Sequence, residues 1–373
     1  GLVGAAGKLM GLASYGKPRF FDAYFVGNEK DFEEKSVDLF SAWLSHCETQ
    51  ANVMGYDFSN YRNPEHPLAR INADIAASTQ ELFEQIRLKA IEKFSNYLFL
   101  NDIRCLNLCL SGGTALNCPS NSQILNEGPF ENVFVEPFCD DTGIALGAAL
   151  CLHYNILGEE RYKLKPLDIP FSGITYSEEA VERELIQYSE QLSFKKDLKP
   201  WKMAARDLER DMVIAWFEGR SEVGPRALGA RSILADPRKK ENWVRVNKIK
   251  NRESWRPFAP AILESELLRW FRGIPSKSPY MLFNAEVLSN DIPAVTHVDN
   301  TSRVQTVDKN NGDFYNLISE FGKLTGVPIV LNTSFNGPGE PIVESPGDAI
   351  RFFLKSELDT LYLDKFIVKK GAG

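Results

Sequence analysis

From Ile71 to Tyr97 apolar side chains return at helical spacing (Ile75, Leu82, Ile86, Ala90, Phe94), which predicts one long amphipathic helix. The period then changes. Asn107–Leu110 reads as a buried strand broken by Ser111-Gly112-Gly113, and Asn132–Glu136 as a second strand ended by Pro137. Cys118–Leu125 and the small-residue stretch Thr142–Tyr154 read as helices between and after them. Strands alternating with helices predict an α/β domain. Residues 1–70 show no sustained period and read as irregular, with turn formers such as Tyr61-Arg-Asn-Pro64. The stretch 158–200 is charged and spotted with proline, and is expected to connect two domains, with a short helix over Glu178–Gln191. A second series starts near Trp201: strands at Met212–Phe217 and Val327–Leu331, a basic helix at Glu241–Asn251, and a helix at Pro346–Leu354. Thr360–Leu363 and Lys365–Val368 close it as strands. The expected organisation is a mixed α/β chain with one domain over 1–157 and another over 201–373. No internal repeat or low-complexity tract interrupts it.

The 373 residues suffice for two ordinary domains, and 43% hydrophobic with 25% charged residues is a globular composition. A net charge of −7 gives the whole chain no electrostatic reason to seek nucleic acid or an anionic membrane. No apolar run reaches the roughly 18 residues of a membrane span. The start, Gly1 to Lys8, lacks a basic segment, so a secretory signal is not expected and a cytoplasmic location is. The chain does not open on Met and is expected to begin partway through a longer protein. Six cysteines without a CxxC pair read as reduced apolar residues, and no two of the four histidines stand at ligand spacing on one helix.

Against that background one segment changes the picture. Between Arg220 and Arg256 stand eleven Lys/Arg and four Asp/Glu, a local balance of +7. Its arginines lie among Gly, Pro and apolar residues, as in Gly224-Pro-Arg226-Ala-Leu-Gly229, which suggests partly buried forks for phosphate or carboxylate. A solvated basic helix accounts for Lys239 and Lys240, but poorly for the run from Lys250 to Arg256. A second candidate is Leu331-Asn332-Thr-Ser334-Phe-Asn336-Gly-Pro-Gly-Glu-Pro341, which puts hydroxyls, amides and glycines where a strand ends, the usual ligand side of an α/β sheet. The third is Leu110-Ser-Gly112-Gly113-Thr-Ala-Leu-Asn117, where paired glycines between strand and helix leave N–H groups for a phosphate or simply make a turn. In the fourth, Pro137-Phe-Cys-Asp140-Asp141-Thr-Gly143, the carboxylates suit either a ligand or an N-cap.

Together these motifs resemble the NodU/CmcH family of ATP-dependent O-carbamoyltransferases. The likeness runs through Gly7–Gly16, Leu110–Asn117, Asp141–Leu150, Gly224–Leu234, Trp255–Pro260, Pro293–Asp299, Arg303–Val307 and Leu331–Pro341, nearly the whole chain. It implies a first domain like the second lobe of an actin-type ATPase (the ASKHA fold), and a C-terminal domain like YrdC, a twisted open sheet. The latter would convert carbamoyl phosphate to carbamate and join it to ATP as carbamoyl adenylate. By the resemblance Arg226, Lys250, Arg256 and Arg303 would grip phosphates and the carbamoyl group, and Ser334, with Asn332 and Asn336, would hold the adenylate. Gly112, Gly113, Asn117, Asp141 and Gly143 would contact nucleotide in the first domain, and Asp141 would also ligate a divalent metal. The implied cofactors are ATP with magnesium, and iron or a similar ion at the first domain. The implied partners are carbamoyl phosphate, a small-molecule hydroxyl acceptor, and a separate chain or upstream segment for the lobe this sequence lacks, with its His-x-x-His pair. The family resemblance leaves two other readings: threonylcarbamoyl-adenylate chemistry in tRNA modification, which the acidic balance disfavours, and a non-catalytic nucleotide-binding subunit, which would not need the full basic set.

Overall fold

The computed structural model describes residues 5–26, 38–56, 70–161 and 170–371, and divides into two compact units. The first comprises residues 1–109, 117–134 and 297–299; the second comprises 110–116, 135–296 and 300–373.

The first unit is built on helices α1 (Ala5–Ala13), α2 (Leu39–Val53) and α3 (Arg70–Leu100). The expected long helix is present. Its N-terminal half buries Ile71, Ala73, Ala76 and Leu82, and Ile71 and Leu82 pack against Phe20, Phe25, Trp43 and Cys47. Residues 1–70 are therefore not irregular where they are described. Their helices are short and rich in small or aromatic residues, so their inward faces become recognisable only against α3. The Tyr61–Pro64 turn lies outside the described residues. Asp74, 2% exposed, ties this unit together, taking the Lys17 N–H at 2.8 Å and an ion pair from Arg19 at 3.2 Å. Strand β1 (Asn107–Leu110) leads into helix α4 (Cys118–Glu127), and β2 (Asn132–Val135) pairs with β1.

The second unit opens with a 3₁₀ turn at Asp141–Gly143, helix α5 (Ile144–Leu150) and a π-helical turn at Cys151–Ile156, so the expected helix over 142–154 is present in three pieces. Helix α6 (Glu178–Ile186) and strand β3 (Leu192–Lys196) fall within the stretch read as connecting. Then come α7 (Pro200–Glu209), β4 (Ile214–Phe217), β5 (Arg231–Ala235), α8 (Lys240–Ile249) and β6 (Ala259–Leu263). Strands β7 (Phe271–Arg272), β8 (Asn284–Val287) and β9 (Thr301–Arg303) make a small sheet. The chain ends through β10 (Gln305–Val307), α9 (Gly312–Thr325), β11 (Ile329–Ser334), α10 (Pro346–Lys355), β12 (Thr360–Leu363) and β13 (Phe366–Lys370).

Eight strands form one mixed sheet in the order β10-β6-β11-β5-β4-β12-β13-β3. Only β10–β6 and β12–β4 are parallel pairs. Side chains alternate between two apolar layers: Ala215, Phe217, Ile233 and Leu361 enter one, and Ile214, Trp216, Leu234 and Tyr362 the other. Both faces are thus buried, which explains why strands such as β4 read as unbroken apolar runs. Ligand groups are left to the ends of the strands. The register brings Phe217 beside Arg231, Ser334 beside Ser232, and Asn332 beside Ala259. The end of β4, the start of β5, the end of β11 and the start of β6 therefore lie on one rim, which also receives the loops 218–230, 250–258 and 335–341.

Candidate active site

Lys250 caps the C-terminal end of α8 and is 6% exposed. Its Nζ lies 2.5 Å from the Ser334 carbonyl, 2.8 Å from Asn336 Oδ1, 3.1 Å from the Asn336 carbonyl and 3.2 Å from Ser334 Oγ. Ser334 Oγ and Asn336 Oδ1 are 2.7 Å apart, so lysine, serine and asparagine form one network. Among the described residues no carboxylate belongs to it. Burial first, then the Arg252 and Arg256 guanidiniums, push the Lys250 ammonium well below its ordinary range. Four oxygen acceptors oppose that push, because a neutral amine has only two hydrogens to donate.

Four arginines join through their charge. Arg252 is pushed down to about 9 by burial, then by Arg256 and Arg303. Arg256 is lowered by burial and by Arg226, against a Glu253 carboxylate 3.9 Å away. Cations that depress one another in a partly buried place suit an anionic ligand. The structure thus brings together Arg226, Lys250, Arg256, Arg303, Ser334 and Asn336. It adds Arg252, which lies over the Phe258 ring and donates to Asn247 Oδ1 at 2.7 Å. The run from Lys250 to Arg256 held Arg252 in plain view, without a signal to separate it from its neighbours.

The loop bearing Arg226 contains no helix or strand and is held by side chains. Glu222 Oε1 accepts the N–H groups of Leu228 at 2.7 Å, Ala230 at 2.7 Å and Arg231 at 3.2 Å. Burial raises its carboxyl, against those N–H groups. Gln305 Nε2 donates to the Leu228 carbonyl at 2.7 Å. Asn332, 1% exposed, donates to the Ala227 carbonyl at 3.3 Å and to Gln305 Oε1 at 2.8 Å. Arg231 covers the Phe217 ring at 3.4 Å and donates to the carbonyls of Glu218 and Gly219. Glycine is required at Gly229, where φ is +112° and a Cβ would stand 2.3 Å from Phe314 Cδ1. Glu222 carried no sequence signal, being an acid in a basic run, and Gln305 carried only that of lying within Arg303–Val307, one of the segments of likeness. Beside this loop is a cavity of about 510 Å³ lined by Glu218, Arg220, Gly229, Asn310 and Phe314, within the size range of small-molecule sites. Burial pushes Glu218 up to about 8, although the Asp313 N–H holds its Oε1 at 2.9 Å.

The remaining expected residues are placed separately. Gly112 follows β1 at φ +92°, and a Cβ there or at Gly113 would meet open space. Asn117 caps α4, taking the Ser120 N–H at 3.1 Å and exchanging hydrogen bonds with Gln80. Asp140 caps the turn before α5 through the Thr142 N–H at 3.2 Å. Gly143 is needed for close packing, since a Cβ would lie 2.3 Å from the Phe138 carbonyl oxygen. Asp141 is exposed, and no group of three or more His, Cys, Asp or Glu residues suited to a metal ion occurs among the described residues. One carboxylate does not make a transition-metal site. Among the same residues no helix is long and apolar enough to cross a membrane.

Comparison with known proteins bears on this arrangement. Residues 205–370 match the model for the carbamoyltransferase C-terminus, and residues 4–150 the model for the carbamoyltransferase N-terminus. Nodulation protein NolO of Bradyrhizobium diazoefficiens is 37% identical over 97% of this chain and 65% of its own length. A 3'-hydroxymethylcephem-O-carbamoyltransferase of Amycolatopsis lactamdurans is 34% identical over 66% of this chain and 45% of its own length. A crystal structure of full-length HypF, phosphate- and nucleotide-bound, aligns with 65% of this chain and 39% of that one at 14% identity, with a TM-score of 0.36, too low to carry an argument. The chain spans between 52% and 65% of the first three curated relatives it matches.

Proposed function

Because this chain belongs to the carbamoyltransferase family, we propose that its second unit activates a carbamoyl group with ATP at the Lys250–Arg256 cluster. Water would attack carbamoyl phosphate, its bond to phosphate would break, and carbamate and inorganic phosphate would result. A carbamate oxygen would attack the α-phosphorus of ATP, the bond to the β-phosphate oxygen would break, and pyrophosphate would leave. A hydroxyl of a small-molecule acceptor would then attack the carbamoyl carbon and release AMP. The observation that carries this reading is a lysine and four arginines assembled at one sheet end around the Ser334–Asn336 network. Fixed cations suit phosphoryl chemistry, which is mostly positioning and charge neutralisation. The cavity of about 510 Å³ beside the Arg226 loop gives room for a nucleoside end. We take Gly112, Gly113 and Asn117 as nucleotide contacts of an actin-like lobe that serves transfer, and the second unit as YrdC-like. The magnesium of ATP enters with the substrate, and no step is assigned to a metal at Asp141. Further residues for transfer would come from a longer chain or a partner.

The test is pyrophosphate release from ATP. It should depend on carbamoyl phosphate, and Lys250→Ala should lower it by about 10²-fold or more. Undiminished turnover in that variant would remove Lys250 from the site. Release supported instead by threonine and bicarbonate would move the chain to threonylcarbamoyl chemistry.

A further inference from the structure

The loop from Gly224 to Ala230 has no ladder of its own, yet it carries Arg226, whose Nε is buried with no hydrogen-bond partner among the described residues. A cation that neutralises developing charge helps most when it is already in place. A floppy loop would have to be ordered at each turnover. We propose that Glu222, with Gln305 and Asn332, positions Arg226 for the anion by fixing the backbone of its loop. The inference rests on the anion site described above.

Two observations and one electrostatic consideration carry it. First, the Glu222 carboxylate makes no ion pair at 4 Å or less among the described contacts; its bonds go to three loop N–H groups. Second, the carbonyls of Ala227 and Leu228, the residues following Arg226, are held by Asn332 of β11 and Gln305 of β10. The segment is thus gripped through its donors on one side and its acceptors on the other. Third, a carboxylate near a polyphosphate site opposes the ligand by simple Coulomb repulsion. Its presence conflicts with anion binding unless what it does for the backbone outweighs the repulsion. Asn332 on this account acts through the loop, and Glu222 and Gln305 are positioning residues that touch no substrate.

Opposite signs in two variants separate this from a general need for stability. Glu222→Gln keeps an oxygen for the three N–H groups and removes the opposing charge, so it should bind pyrophosphate at least as tightly as the parent. Glu222→Ala removes the acceptor and should weaken binding about tenfold, with a loss of kcat for pyrophosphate release beyond the change in KM. The probe is pyrophosphate, titrated calorimetrically against each full-length variant, with the melting temperature recorded alongside. A role in stability alone would lower the melting temperature of Glu222→Ala and leave the affinity of the folded protein unchanged; that result would overturn the proposal, as would equal weakening in the glutamine variant. Should Glu222→Ala fail to fold, Gln305→Met cuts the Leu228 tie together with the bond from Asn332 and leaves Glu222 in place, and unchanged pyrophosphate affinity there would overturn it too. Lys250→Ala is the control: if it binds pyrophosphate as the parent does, the anion site itself is misplaced. If it binds weakly while Glu222→Ala does not, only the positioning role fails.

Discussion

Lys250 sits where two demands on its proton conflict. Burial and two guanidiniums favour the amine, while four neutral oxygens favour the ammonium. An arriving polyphosphate adds negative charge and raises the lysine pKa again. The sign follows: affinity should fall as pH rises through the depressed lysine pKa, and binding in that range should take up protons. Calorimetry of pyrophosphate binding across a pH series, in buffers of different ionisation heat, should show an uptake in the parent that Lys250→Met lacks. Much of this was legible in residue types. Gly-embedded arginines and a Thr-Ser pair between asparagines marked two segments that the fold brings together, because cations without nearby acids have few structural uses. The roles of Glu222 and Gln305 were not legible, because their work is done on backbone groups eight residues or a whole strand away, which a linear pattern does not encode.

Among the elements, the connection from β4 to β5 is the one whose shape decides the site. Its return depends on Gly229, held at φ +112° against the Phe314 ring of α9. Gly229→Ala should cost about 2 kcal/mol or more from backbone strain and overpacking, measured by urea unfolding. Pyrophosphate binding should weaken with it, because the strain falls on the residues that Glu222 holds. Elements with a strong period were read correctly: α3, β4, α8, α10, β12 and β13 stand within a few residues of expectation. Those read poorly share a cause. Strand β5 begins with a buried arginine, β6 contains a proline, and β3 is polar along half its length, so none shows a clean alternation. Each is a strand because of its neighbours in the sheet and not because of its own sequence.

At the scale of the molecule, the basic segment and the total charge have opposite signs. A chain of −7 treated as one body repels an anion, and added salt would then strengthen binding. A local excess of +7 between Arg220 and Arg256 makes the contrary prediction. Pyrophosphate affinity measured between about 0.1 and 0.5 M salt should fall, since the cations nearest the ligand dominate within a Debye length of about 10 Å or less. An affinity that rises with salt would place the anion elsewhere.

Strand β3 has a practical meaning for anyone dissecting this chain. The match to the carbamoyltransferase C-terminus begins at residue 205, but Leu192–Lys196 pairs residue for residue with Phe366–Lys370, and Phe194 packs edge-on against Phe366. A piece begun at residue 205 would lose that outermost strand. It would leave Phe366–Lys370 as a bare hydrogen-bonding edge, which is an invitation to self-association. The smallest piece with a protected border therefore starts before Leu192, upstream of where family likeness alone would place the cut.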